Sequence, residues 1–253
     1  MKIVIVGGTG LIGKPLVEKL RQLGHEAVPA SPSTGVDTVT GKGVAEVLAG
    51  ADVVVDTPRP PFEDGRVLDF FERSTRNLVR GEKEAGVGHH IVLSIVGADR
   101  MPSIGWMRAK VAQEEIAIHS GVPFTIVRAT QFFEFIPRLA EKGAQGGIVT
   151  LSPVLLQPIA AADVSDALAT ISTAAATNRV VELAGPEQLR LADAARRILA
   201  AKGDPRTVVA DESVGYFGGA VTDESLTPGN DPRVLDHQFG PTRFHDWLAR
   251  IPA

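Results

Sequence analysis

The residues with the clearest chemistry stand near the start of the chain, where Gly7, Gly10 and Gly13 recur at three-residue intervals. Just before them, Lys2–Val6 is a β-branched run of the kind buried on both faces of a parallel sheet. Just after them, Leu11, Ile12, Leu16, Val17 and Leu20 fall into one helical stripe. Strand, glycine turn and helix in that order make a cradle for a pyrophosphate. Gly7 takes the tight turn, Gly10 lets backbone approach the phosphates, and Gly13 lets the helix pack close to the strand. With Thr9, Leu11 and Ile12 in the turn, the helix N-terminus offers free N–H groups and a partial positive charge. The chemistry implied is dinucleotide binding.

A motif of this kind works only at the edge of a parallel sheet, and the rest of the first half supplies one. Strands are expected at 25–31, 51–56, 89–96 and 124–129, and helices near 44–48, 64–85 and 106–119. That alternation is the signature of a doubly wound α/β fold, a Rossmann-like parallel sheet with right-handed crossovers. Beyond about residue 130 the rhythm changes. Short strands are expected near 148–151, 155–160 and 180–184, and helices at 163–175, 189–201 and 242–250. Asp163 suits the N-cap of the first of these helices. The chain therefore divides into a dinucleotide-binding domain, 1–130, and a smaller C-terminal α/β cap, 131–253, interleaved with it. The cap covers the carboxyl edge of the sheet, where ligands bind in open α/β folds. The Gly-, Pro- and Asp-rich stretch 211–241 reads as a flap over that edge.

Composition narrows the function classes. The 253 residues carry a net charge of −4 with no Lys/Arg run, which argues against nucleic acid as a partner. Zero cysteines remove disulfides, thiolate catalysis and Cys-ligated metals, and fit a reducing, cytoplasmic setting. The chain enters a strand at once, which argues against a signal peptide, and Pro158, Asp163 and Asp166 break the longest apolar stretches. No membrane association is expected. The six histidines show no metal-ligand spacing, and the adjacent His89 and His90 point to opposite faces of a strand, so no metal is expected.

Several segments together resemble the short-chain dehydrogenase/reductase superfamily, in its atypical, NmrA-like branch. They are GGTGLIG at 7–13, DVVVD at 52–56, LSIVG at 93–97, RAKVAQEE at 108–115, TIVRATQFFEF at 125–135 and PIAAADVSDAL at 158–168. The resemblance implies a nicotinamide cofactor across the strand ends and a ligand under the C-terminal cap. It places Ser94 and Lys110 at the family's catalytic Ser and Lys, with Lys110 on the nicotinamide ribose. It also places Gln131 and Phe132 where relatives touch the nicotinamide and its substrate. The family's Tyr is replaced by Trp106, whose indole N–H cannot act as an acid–base, so Tyr-dependent alcohol dehydrogenation is disfavoured. The sole tyrosine, Tyr216, falls in the flap.

Taken without the resemblance, the same residues have plainer readings. Lys110 and Glu114 form a surface pair at i, i+4, and Ser94 bonds the backbone at its strand end. Arg128 serves a structural ion pair, and Phe132, Phe133 and Phe135 are core. Taken with it, Trp106, Phe132 and Phe133 line a substrate pocket. Beyond the second strand stand Ser31 and Ser33 in place of the acid that binds an NAD ribose, and the arginine common in relatives is missing. This favours NADP over NAD slightly, with Arg59, beside Thr57 and Pro58 in the next cofactor-facing loop, as a substitute for that arginine. The function expected is an NAD(P)-dependent oxidoreductase passing a hydride to a small apolar acceptor such as a quinone or conjugated double bond. The alternative is a non-catalytic NmrA-like redox sensor acting through a protein partner. A homodimer is also compatible with the resemblance.

Overall fold

A computed structural model describes residues 1–62 and 64–251. Five strands and four helices alternate through the first half: β1 (Lys2–Val6), α1 (Gly13–Gln22), β2 (Glu26–Ala30), α2 (Val44–Leu48), β3 (Val53–Asp56), α3 (Val67–Ala85), β4 (His89–Ile95), α4 (Gly105–Ile118) and β5 (Phe124–Ala129). The second half contributes α5 (Ile136–Lys142), β6 (Ala144–Gln145), β7 (Ile148–Leu151), β8 (Leu155–Leu156), α6 (Ala161–Ser172) and β9 (Val180–Ala184). It ends with β10 (Leu189–Arg190), α7 (Leu191–Ala201), β11 (Thr207–Ala210), β12 (Val234–Phe239) and α8 (Phe244–Leu248).

The main sheet has seven parallel strands in the order β12-β9-β5-β4-β3-β1-β2. Because all run the same way, their carboxyl ends share one edge, and the glycine turn after β1 lies on it. Alternation along the strands sorts the two faces. Ile3, Ile5, Val53, Val55, Ile91 and Val127 pack against α1 and α6. Val4, Val6 and Val54 pack against α2 and α3, and Val92 and Ile126 against α4. A separate C-terminal layer combines α5, α7 and α8 with the small sheet β11-β7-β6 and the pair β10-β8. Among the described residues no helix is long and apolar enough to cross a membrane.

Three expectations are corrected. Asp163 does not cap α6: the N-cap is Ala160, and the Asp163 carboxylate accepts hydrogen bonds from Thr242 N (2.9 Å) and Oγ1 (2.7 Å), tying α6 to the segment before α8. The stretch 211–241 is not wholly a flap, since β12 within it pairs with β9 as the edge strand of the main sheet. The strand expected at 155–160 shrinks to the two residues of β8, because Pro158 cannot donate to a ladder.

Candidate functional site

Three of the four glycines after β1 are glycine for reasons internal to the loop. A Cβ on Gly7, whose φ is +76°, would lie 2.5 Å from Thr57 O. One on Gly8 would lie 2.7 Å from Pro29 Cα, and one on Gly13 would fall on the Gly7 carbonyl. Gly10 differs: it is exposed, and the nearest atom to a Cβ there is Gly7 O at 3.2 Å. The space it keeps clear lies on the solvent side. Thr57 locks the neighbouring loop by donating from N and Oγ1 to Val6 O at 3.0 and 2.8 Å.

The helix that follows is left open at its positive end. Gly8 and Gly10 donate to Ile5 O and Gly7 O, but among the described residues no hydrogen bond uses the N–H of Thr9, Leu11 or Ile12. Ile12 is the N-cap of α1, with no side-chain cap and no acidic residue in the first turn. A missing cap costs about 1 kcal/mol. Complete burial of Leu16 and Leu20, worth about 1.5–3 kcal/mol each, outweighs it. The helix therefore forms while its N–H groups and partial charge stay available to an anion.

At the end of β2, Ser31 caps a turn over Pro32–Thr34, taking a hydrogen bond from the Ser33 hydroxyl or giving one to it at 2.8 Å. No carboxylate stands among these residues. Pro58 and the exposed Arg59 follow β3 beside Gly7.

Lys110 is almost completely buried, at 4% exposure. Its Nζ donates to Leu93 O at 2.6 Å and to Gln113 Oε1, and lies 4.5 Å above the Phe71 ring. Trp106, one turn earlier on α4, meets the same ring edge-on at 5.9 Å. Phe70 and Phe62 continue this line of edge-to-face contacts along α3 and the loop before it. Burial pulls the Lys110 ammonium down to about 8, against the opposing pull of Asp56 and Glu114. The surface pair Lys110–Glu114 does not form, because both residues are buried and Glu114 binds Arg128.

Ser94 is also buried, and its hydroxyl donates to Glu114 Oε1 at 2.5 Å. Gln131, just past β5, is buried with Oε1 unpartnered, while its backbone carbonyl accepts from Ile159 N. Phe132 is half-buried against the α1/α6 face. Phe133 turns the other way and is 1% exposed, 5.3 Å from both Phe244 and Trp247. It fills the C-terminal core, so the expectation that it lines a pocket is corrected. Tyr216 packs in that same layer, and burial pushes its phenol up. Phe71, Gln113 and Asp56 were not anticipated around Lys110. The only sequence signals were an acid closing an apolar strand and the Lys110–Gln113 spacing of three. Among the described residues no three acidic, His or Cys side chains are grouped so as to hold a metal ion.

A diphosphate-linked nucleotide fits these residues: a clear face at Gly10, an uncapped helix N-terminus, hydroxyls beyond β2, and a buried unpartnered Gln131 oxygen beyond β5. Comparison with known proteins agrees. The NAD(P)H-binding family matches residues 7–175. The photosystem II assembly factor Ycf39 of Synechocystis sp. is 24% identical over 149 residues, 53% of this chain and 46% of that protein. The chain thus matches about half the length of that relative. The NADPH-dependent quinone oxidoreductase QOR2 of Escherichia coli, complexed with NADPH, superposes with a TM-score of 0.66 at 21% identity, covering 83% of this chain and 77% of that one. UDP-N-acetylglucosamine 4-epimerase from Bacillus cereus gives 0.66 at 19%, covering 83% and 85%. At these identities the two structures establish the fold alone. The match over residues 7–175, together with the glycine loop and the parallel sheet that positions it, makes this chain a member of the NAD(P)H-binding family, of the NmrA-like, atypical short-chain dehydrogenase type.

Proposed function

We propose that the protein is an oxidoreductase that uses NAD(P)H, with NADP(H) preferred, to reduce a flat conjugated acceptor such as a quinone or an enone. The bound dinucleotide supplies the hydride. The glycine loop and the α1 N-terminus take the pyrophosphate. Ser31 and Ser33, with no acid beside them, receive the adenosine ribose and tolerate a 2′-phosphate. Lys110 holds the nicotinamide ribose, and Gln131 Oε1 accepts a hydrogen bond near the nicotinamide. Phe132 and Trp106, the latter backed by the buried Phe71, present apolar surface to the acceptor and exclude water.

The observation that carries this reading is an aromatic wall beside a buried lysine. Trp106 occupies the family's tyrosine position and Tyr216 is held in the C-terminal core. A plain ketone needs a positioned acid as its alkoxide forms. A quinone or enone spreads the developing charge over its conjugated system and needs less help. The quinone oxidoreductase among the fold neighbours is consistent with this choice. The test is NADPH oxidation against a panel of quinones, enones and saturated ketones. Turnover confined to the conjugated acceptors is expected. NADPH binding with no turnover across the panel would overturn the reading in favour of a redox sensor that signals to a protein partner.

A further inference from the structure

Behind Lys110 runs a chain of buried polar side chains that the proposed reaction does not use. Asp56 closes β3, and Gln113 lies three residues after Lys110 on α4; both are fully buried. Gln113 Nε2 donates to Asp56 Oδ2 at 2.7 Å, and Lys110 Nζ donates to Gln113 Oε1. The Gln113 amide has one workable orientation. An ammonium carries only donors, so the carbonyl must face Lys110 and the NH2 must face the carboxylate. One side chain thus joins the carboxylate of one strand to the ammonium that sits against the end of the next.

A purely structural carboxylate would use both its oxygens, yet Asp56 Oδ1 has no partner. On the same face of the sheet, His90 bonds Glu82 Oε1 through Nδ1 at 2.6 Å and leaves Nε2 unpartnered. Asp56 therefore keeps only one hydrogen bond, and that bond leads to Lys110.

We propose that Asp56 is a positioning residue for Lys110, acting through Gln113: it supplies the counter-charge that keeps the ammonium protonated and fixed at the carboxyl end of β4. The assignment rests on the reading of Lys110 as the nicotinamide-ribose anchor. The charged and titratable groups around this chain are Asp56 on β3, Glu82 on α3, His90 on β4, Glu114 on α4 and Arg128 on β5. Glu82 bonds His90 and Glu114 is held side-on by Arg128, while Asp56 faces both His90 and Lys110 and spends its one hydrogen bond on the link to Lys110. An ammonium buried without a counter-charge sheds its proton. Lys110 sits at about 8, pushed down by burial and held up first by Asp56. Burial in turn raises Asp56, and His90 and Lys110 pull it back.

The test is an NMR titration of isotope-labelled lysine side chains in the full-length protein, with the Lys110 signal assigned by its loss in Lys110→Met. Asp56→Asn keeps an acceptor for Gln113 Nε2 and removes the charge, so the Lys110 midpoint should fall by about one pH unit. In Asp56→Asn/Gln113→Glu the carboxylate moves one link closer, accepting from the amide now at position 56 and from Lys110, and the midpoint should return to the wild-type value or pass it. If Asp56→Asn does not fold, Gln113→Glu alone should raise the midpoint above wild type. A wild-type midpoint in Asp56→Asn, or in Gln113→Glu where Asp56→Asn does not fold, overturns the proposal, as does a double variant whose midpoint stays at that of Asp56→Asn. NADPH affinity measured against pH separates the two readings. It should weaken as pH rises through the Lys110 midpoint, and weaken at lower pH in Asp56→Asn. Unchanged NADPH affinity in Lys110→Met would remove the anchor reading, while the NMR midpoints still judge Asp56.

Discussion

Arg128 and Glu114 meet side-on in the interior, Nε to Oε1 at 3.0 Å and Nη2 to Oε2 at 2.7 Å, and Ser94 donates its hydroxyl to the same carboxylate. The Ser94 proton is thus given to a buried ion pair in this structure. Ser94→Ala should lower stability by about 1 kcal/mol, one lost hydrogen bond, and leave kcat and KM for NADPH oxidation unchanged. Glu114→Ala removes the side-on partner of a buried guanidinium and leaves it Asp99 and Asp231 on Nη1, so it should cost about 3 kcal/mol in urea unfolding. A large loss of kcat in a fully folded Ser94→Ala protein would show that the hydroxyl acts in the reaction.

Trp106 contributes its ring and not its N–H. In Trp106→Phe an edge-to-face contact with Phe71 can persist, so quinone reduction should stay within about threefold of wild type. Saturated ketones should remain poor substrates for both proteins. Brisk turnover of a plain ketone, insensitive to this change, would place the proton donor elsewhere.

Acid sensitivity should be centred on the carboxylates around Arg128 and Arg233. Asp231 lies against both arginines, and the hydrogen bonds from Arg233 hold its carboxyl down at about 2. A carboxyl depressed in the folded state adds stability that is complete above its unfolded value, near 3.8, and is lost as pH falls toward 2. Urea midpoints should therefore drop across that window in wild type and drop less in Asp231→Asn. Parallel curves for the two proteins would exclude Asp231 as a source of the acid sensitivity.

What the sequence made legible was local. The β1 run, the Gly7–Gly13 turn and the Leu16/Leu20 stripe sit within twenty residues of one another, and each is set by its own neighbours. Strand β5 and strand β7 were legible as bounded because their apolar runs are short and flanked by turn residues. Strand β12 was not. Its Val234–Phe239 segment lies exposed at the sheet edge, so no alternation marks it, and only pairing with β9 makes it a strand. Phe132 and Phe133 are adjacent in sequence, yet the chain turns there and sends them to different cores. The Asp56–Gln113 bond spans 57 positions, and the surroundings of Lys110 depend on it. No helix-face argument about Lys110 and Glu114 could have found it.

Dinucleotide binding at the loop after β1 is tested most directly by calorimetric titration of NADPH and NADP into wild type and Gly10→Val. A Cβ at Gly10 meets only the Gly7 carbonyl, tightly at 3.2 Å, so the variant should lose little melting temperature and most of its cofactor affinity. Equal affinity in the two proteins would contradict the account at its foundation.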